Sequence, residues 1–229
     1  MKLKEVFATI NRMQADGVIE RYAIGDAVGA TFYLEPVATL DVDIFVAFRP
    51  EPGRLITSPR PIFDYLTARG ATVEGEYLVI ANWPVQFLPP TSPLVEEAIA
   101  QARRTDVEGE PAWVLTAEHL AAIALQTGRA KDKARLLQFV EAGVLDDELL
   151  TTVLARHGLA EKWDAIRAAV SAGAAMTFEM REILKSKQAL RQRLAAMPYG
   201  EKLRLLEQLR DRALAIAACR PRGAPVSAK

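Results

Sequence analysis

Thr39-Leu40-Asp41-Val42-Asp43-Ile44-Phe45-Val46 is the stretch on which the fold turns. In an extended strand, residues two apart share a face. Asp41 and Asp43 therefore point one way, while Val42, Ile44 and Val46 point into a core. Two carboxylates held side by side repel unless a cation neutralises them. An all-oxygen pair on a rigid strand suits Mg²⁺, which keeps some waters and takes its other ligands from substrate phosphates. A solvent-facing strand edge with two ordinary aspartates has the same spacing, so the pattern by itself leaves both readings open.

Upstream, Tyr22 to Ile24 is a short apolar strand that runs into Gly25, and Ala27 to Leu34 reads as a helix closed by Glu35-Pro36. A glycine at such a turn lets backbone N–H groups and the helix N-terminus approach a phosphate. Many strand-to-helix turns hold a glycine for structural reasons alone. Further back, Val6, Ile10 and Met13 recur at helical spacing up to Asp16-Gly17. Downstream, the four prolines between Arg49 and Pro61 predict a loop, followed by a short helix from Ile62 to Arg69. Ala71 to Val73, Tyr77 to Ala81 and Val85 to Leu88 read as strands, with turns at Glu74-Gly75 and Asn82-Trp83-Pro84.

Beyond Leu94 the pattern predicts helices throughout, centred on Glu97, His119, Leu136, Leu149 and Ile166. Ser171-Ala172-Gly173 then breaks the chain. Two further helical stretches follow, Phe178 to Ala196 and Gly200 to Ala218, hinged at Met197-Pro198-Tyr199. The expected fold class is α+β, a mixed sheet with flanking helices followed by a helical C-terminal region. The expected divisions are a core over 1–93, a helical region packed on it over 94–172, a basic helical hairpin over 173–219, and a disordered tail over 220–229.

The glycine turn, the helix and the Asp-hydrophobic-Asp strand, taken in that order, resemble the signature of the DNA polymerase beta superfamily of nucleotidyltransferases. The closer resemblance is to small prokaryotic members, the abortive-infection type IV toxin (AbiEii-like) nucleotidyltransferases and their relatives. The stretch from Thr116 to Leu120 and on through Gly128-Arg129-Ala130-Lys131-Asp132-Lys133-Ala134-Arg135 adds to it, since such proteins often open a later helix with Lys-Asp. The resemblance covers about residues 1–170.

It implies a nucleotidyltransferase-fold core over 1–93 and a role for each matching residue. Gly25, Asp26 and the backbone that follows would cradle a nucleoside triphosphate. Asp41 and Asp43 would be the catalytic carboxylates that hold Mg²⁺. Arg129 and Lys131 would supply charge to phosphates, with Asp132 as a capping or supporting residue. Three positions depart from the family pattern. Asp26 stands where a small Gly or Ser is usual, placing an acid beside the expected phosphate. Gln86 stands where a third carboxylate often comes from a later strand; its carbonyl can ligate a metal, but it cannot act as a base. No lysine lies between Glu118 and Gln126.

Composition narrows the function classes. The chain has 229 residues, about half hydrophobic, a formal net charge of zero and one cysteine, Cys219. One cysteine excludes an internal disulfide and a cysteine-built metal site. No apolar run approaches the roughly 20 residues that span a bilayer, so a cytoplasmic protein without a membrane partner is expected. His119 and His157 are far apart in sequence, which argues against zinc; His119 reads as a packing or surface residue. Residues 181–212 hold nine basic and four acidic side chains. That charge and two apolar stripes, the second formed by Leu205, Leu206, Leu209, Ala213 and Ile216, predict a helical hairpin with a basic outer face. Its stripes close on each other, or pack on the core or a partner chain, and the segment reads as an accessory or antitoxin-like module or a surface for homo-oligomers rather than an extension of the core. Three function classes stay open. One is an Mg²⁺-dependent transferase that moves a nucleotide from an NTP to a hydroxyl on RNA, protein or a small molecule, within a toxin–antitoxin or phage-defence system. Another is a catalytically degenerate binding or regulatory protein with the same fold. The third is a toxin–antitoxin-type regulatory protein in which residues after about 175 cover the site.

Overall fold

The computed structural model of the protein describes residues 2–48, 59–172 and 189–219. Strands β1 (Arg21–Ile24), β2 (Val42–Ala47), β3 (Thr72–Glu74), β4 (Tyr77–Ile80), β5 (Trp83–Leu88), β6 (Arg103–Val107) and β7 (Glu110–Val114) form one sheet in the order β3-β4-β5-β2-β1-β7-β6. The sheet is mixed: β2 pairs parallel with β5 and antiparallel with β1, and β1 pairs parallel with β7. Flanking helices and a C-terminal helical region complete the expected α+β architecture.

Strand alternation sorts the side chains into two cores. Val42, Ile44 and Val46 are fully buried on one face, beside Leu3, Val6, Phe7, Ile10 and Met13 of α1 (Lys2–Ala15). These are the helical-period residues of the N-terminal stretch, and each offers roughly 1.5–3 kcal/mol on full burial. On the other face, Phe45 packs against a second core built from α2 (Asp26–Thr31), α4 (Pro93–Ala100), α5 (Ala117–Thr127), α6 (Ala130–Ala142), α7 (Asp147–Arg156) and α8 (Ala160–Ala172). Ile62 and Leu66 of α3 (Arg60–Thr67) belong to the first core.

The structure corrects three sequence expectations. The region after Leu94 is not helical throughout, since β6 and β7 form a hairpin there and extend the sheet. Its turn is Glu108-Gly109, with φ of 55° and 83°; two left-handed residues match the right-handed twist of the flanking strands. The β4–β5 turn is Ala81-Asn82, both left-handed, and Trp83-Pro84 already belong to β5. The third correction concerns the C-terminal segment. Helix α9 (Tyr199–Cys219) sets Leu203 and Leu206 into the first core. Lys202 and Arg210, counted from sequence as part of a basic outer face, are buried, while Ile216 of the expected apolar stripe is exposed. Long basic side chains bury their methylene stems along apolar surface, and Arg210 stacks its guanidinium 4.1 Å from the centre of the Trp83 ring. Residues 189–195 are helical, and Arg191 bridges Glu35 and Glu141. The first half of the expected hairpin and the tail lie outside the described residues.

Candidate active site

Strand β2 delivers the carboxylates. It lies between β1 and β5, so both of its edges are hydrogen-bonded and its side-chain directions are fixed. Asp43 is on the face opposite Val42 and Ile44; Asp41 precedes the strand by one residue. Both line one cleft of about 460 Å³. Asp41 accepts hydrogen bonds from Thr39 Oγ1 at 3.1 Å and from the Tyr77 hydroxyl at 3.5 Å. Burial, and then the Asp41 charge, push the Asp43 carboxyl up to about 6, against the opposing pull of Lys131 and Arg129. The parallel pairing of β2 with β5 places Gln86 opposite Asp43, and Gln86 also lines the cleft.

Helix α6 delivers the cations. Gly128 ends α5 in a left-handed conformation, φ 69°, and Arg129 immediately starts α6. Asp132 accepts a hydrogen bond from the Arg129 backbone N–H at 3.3 Å and from Arg129 Nε at 2.7 Å. One carboxylate thus satisfies an otherwise orphaned helix-start donor and holds the guanidinium at the cleft rim. This is the supporting position expected for Asp132. Lys131 and Arg135, one helical turn apart, both reach Asp26: Lys131 Nζ donates to Oδ2 at 3.0 Å, and Arg135 Nη1 donates to Oδ1. Burial lowers the Arg135 pKa.

Of the seven residues expected at the site, six line the cleft: Asp26, Asp41, Asp43, Gln86, Arg129 and Lys131. Gly25 does not. It lies behind the cleft, donating its N–H to the Asp43 carbonyl at 3.0 Å. A Cβ there would sit 2.3 Å from the Phe45 ring, so close approach to β2 accounts for the glycine. Helix α2, six residues long, presents Asp26 to the cleft where phosphate contacts were expected.

Sequence reasoning missed Glu76, Tyr77 and Arg135 as lining residues. Glu76 and Tyr77 arrive on the β3–β4 hairpin, whose Gly75 turn was the available signal. Arg135 follows Lys131 by four residues, which is one face of a helix. The cleft then carries five carboxylates (Asp26, Asp41, Asp43, Glu76 and Asp132) and three cations. Coulomb repulsion among the acids favours entry of a cation. The carboxylates of the cleft and the Gln86 carbonyl offer oxygen ligands, a set that suits Mg²⁺ better than a softer metal. Among the described residues there is no cluster of three or more His, Cys, Asp or Glu placed to hold a metal.

The two histidines are elsewhere, and they are not apart. His157 Nε2 lies 2.8 Å from Glu97 Oε2, and the fully buried His119 places Nε2 3.5 Å from Glu97 Oε1. His119 Nδ1 is 2.8 Å from Thr116 Oγ1, the N-cap of α5. Burial, opposed by Glu97, lowers the His119 pKa. The group ties α4, α5 and α7 together, consistent with the packing role read for His119.

No protein-family model and no curated protein matches the chain. Among solved structures, it is similar to an antigenic nucleotidyltransferase-like protein from Paracoccidioides brasiliensis, with a TM-score of 0.46 and 14% identity over 73% of this chain and 93% of that one. A likeness this distant says nothing of chemistry, which rests on the residues of the cleft. Among the described residues, no helix is long and apolar enough to cross a membrane.

Proposed function

We propose that the cleft binds an Mg²⁺-complexed nucleoside triphosphate and transfers its nucleotide to an acceptor hydroxyl. One observation carries the reading: Asp43 from β2, Asp41 just before that strand, and Arg129, Lys131 and Arg135 from the start of α6 converge on a single cleft. The motif order of the sequence, with its resemblance to small prokaryotic nucleotidyltransferases, supports the same reading. Asp41 and Asp43 would hold the cation, with the Gln86 carbonyl beside them. Bound Mg²⁺ would neutralise charge that develops on the phosphates.

In the transfer, a bond forms between the acceptor oxygen and the α-phosphorus. The bond from that phosphorus to the β-phosphate's bridging oxygen breaks, and pyrophosphate leaves. Arg129, Lys131 and Arg135 stabilise the departing charge from a fixed position, which costs little reorganisation during the reaction. The acceptor proton needs a base. Asp26 and Asp132 are engaged with the cations, Asp41 and Asp43 hold the metal, and Gln86 cannot accept a proton at its amide. Glu76 is the remaining carboxylate of the cleft and takes that role. The acceptor belongs to RNA, a protein or a small molecule.

Incubation of the full chain with each labelled NTP, Mg²⁺ and total RNA or a protein extract tests the proposal. Labelled product that disappears in the Asp43→Asn variant is the expected result. Nucleotide binding without any product would favour the second reading, a binding protein of the same fold, for which Gln86 in place of a third carboxylate is the specific observation.

A further inference from the structure

Asp26 is unusual in backbone and side chain alike. Its φ of 42° lies in the left-handed region, where a non-glycine residue is uncommon. Its carboxylate takes two cations of the cleft at once, Lys131 and Arg135. Its side chain is 18% exposed and that of Arg135 17%, so the Arg135 pairing is largely withdrawn from solvent, where salt screens it least, while Lys131 approaches from the exposed side at 56%. The same residues border a neighbouring cavity of about 330 Å³ that also contains Asp41.

We infer that Asp26 is a specificity-determining residue: its carboxylate stands where a ligand phosphate would pair with Lys131 and Arg135, so the cleft rejects bare polyphosphate and admits the cation-complexed nucleotide. The inference rests on the proposed nucleotide-binding function. A bare anion entering the cleft meets Asp26, Asp41, Asp43 and Glu76, and must displace Asp26 from both cations with nothing in return. A metal-complexed triphosphate brings positive charge to Asp41 and Asp43 as it arrives. Repulsion from the acids then falls as the phosphates take over Lys131 and Arg135. Discrimination of this kind comes from a repulsive element built into the site as well as from an attractive one.

Asparagine tolerates left-handed backbone as aspartate does, so Asp26→Asn removes the charge while keeping shape and φ. Asp26→Gly removes charge and backbone strain together, and guards against a folding defect in the first variant. The experiment is calorimetric titration of the full chain with inorganic pyrophosphate in EDTA, ATP in EDTA, and ATP with Mg²⁺. Both variants should bind metal-free pyrophosphate and metal-free ATP more tightly than the wild type, by about tenfold or more. Affinity for Mg²⁺-ATP should also rise, because its phosphates replace Asp26 at Lys131 and Arg135 as well, but by clearly less than for the bare anions, whose repulsion no metal offsets. Adding Lys131→Gln to Asp26→Asn should remove the gain. Equal pyrophosphate affinity in wild type and both variants, or an equal gain for bare and complexed nucleotide, would overturn the inference. If the wild type fails to bind Mg²⁺-ATP while the variants gain pyrophosphate affinity, the anion block by Asp26 stands and the nucleotide reading falls.

Discussion

The acidic and basic walls of the cleft are built by opposite means. The acidic wall rides on a strand paired on both edges, and leaves Asp41 and Asp43 facing the same space, with Asp43 pushed up to about 6 by burial and by its neighbour. The basic wall rides on the first turns of one helix, and supplies its cations with carboxylates from within the protein: Asp132 for Arg129, Asp26 for Lys131 and Arg135. Asp41 and Asp43 keep a mutual repulsion that Lys131 and Arg129 offset only in part, whereas two of the three positive charges of the basic wall are already matched by Asp26 and Asp132. A cleft of this design attracts a cation first, and an anion chiefly through that cation.

The comparison breaks most sharply if turnover survives without the acidic wall. Asp43→Asn should lower kcat by about 10²–10³-fold or more, as removal of one preorganised electrostatic group commonly does. Glu76→Gln should lower kcat with nucleotide affinity retained, a split that separates a proton acceptor from a binding residue. Turnover kinetics and calorimetry on the same preparations check both.

The acidic wall also depends on what stands behind it. Leu206 of α9 is fully buried in the core beneath β2. Leu206→Ala should destabilise the protein by about 2–5 kcal/mol in urea unfolding. No loss would mean that α9 is a detachable module after all.

Asp43 gives the comparison a pH signature. Its folded-state pKa lies above its ordinary value of 3.8, so its contribution to stability is fully present below about pH 4 and is lost as pH rises through 6. Between those limits the fold should lose at most about 3 kcal/mol from this residue, less in so far as solvent screens it. Asp43→Asn should flatten that part of the profile, and saturating Mg²⁺ should shift it toward lower pH. Thermal melts from pH 4 to 8 measure it.

The smallest effect is expected at Arg210, which stacks on Trp83 and donates to the carbonyls of Asn82 at 2.9 Å and Leu40 at 3.4 Å. Leu40 directly precedes Asp41, so this contact links α9 to the loop that carries the acid. Arg210→Ala should cost about 0.5–2 kcal/mol, with a weaker effect on Mg²⁺ affinity than any change at Asp41.

What the sequence disclosed follows from how local each signal is. The alternation of Val42, Ile44 and Val46 and the helical spacing of Val6, Ile10 and Met13 are local patterns, and the structure buries all six residues. The hairpin of β6 and β7 was illegible because β6 is an edge strand, largely exposed and rich in charge, so period-two hydrophobicity is absent. Its Glu108-Gly109 turn was the one available clue. Leu206 stood in the expected second stripe, whereas Leu203 was obscured by Lys202 and Arg210, which share the buried face yet count as solvent-facing by charge. Asp26 read as an obstacle to phosphate because its partners lie 105 and 109 residues away. Glu97, the meeting point of His119 and His157, is equally invisible along the chain. Non-local charge pairing, more than secondary structure, is what a single sequence conceals here.

Calorimetric titration with ATP, in Mg²⁺ and in EDTA, on the wild type and on the Asp41→Asn/Asp43→Asn double variant, tests the central claim most directly. The two carboxylates are the paired acids of the cleft, and removing both charges removes its hold on the cation. Binding by the wild type in Mg²⁺, with loss in EDTA and in the variant, is the predicted result. Equal affinity with and without the metal, or in both proteins, would contradict it.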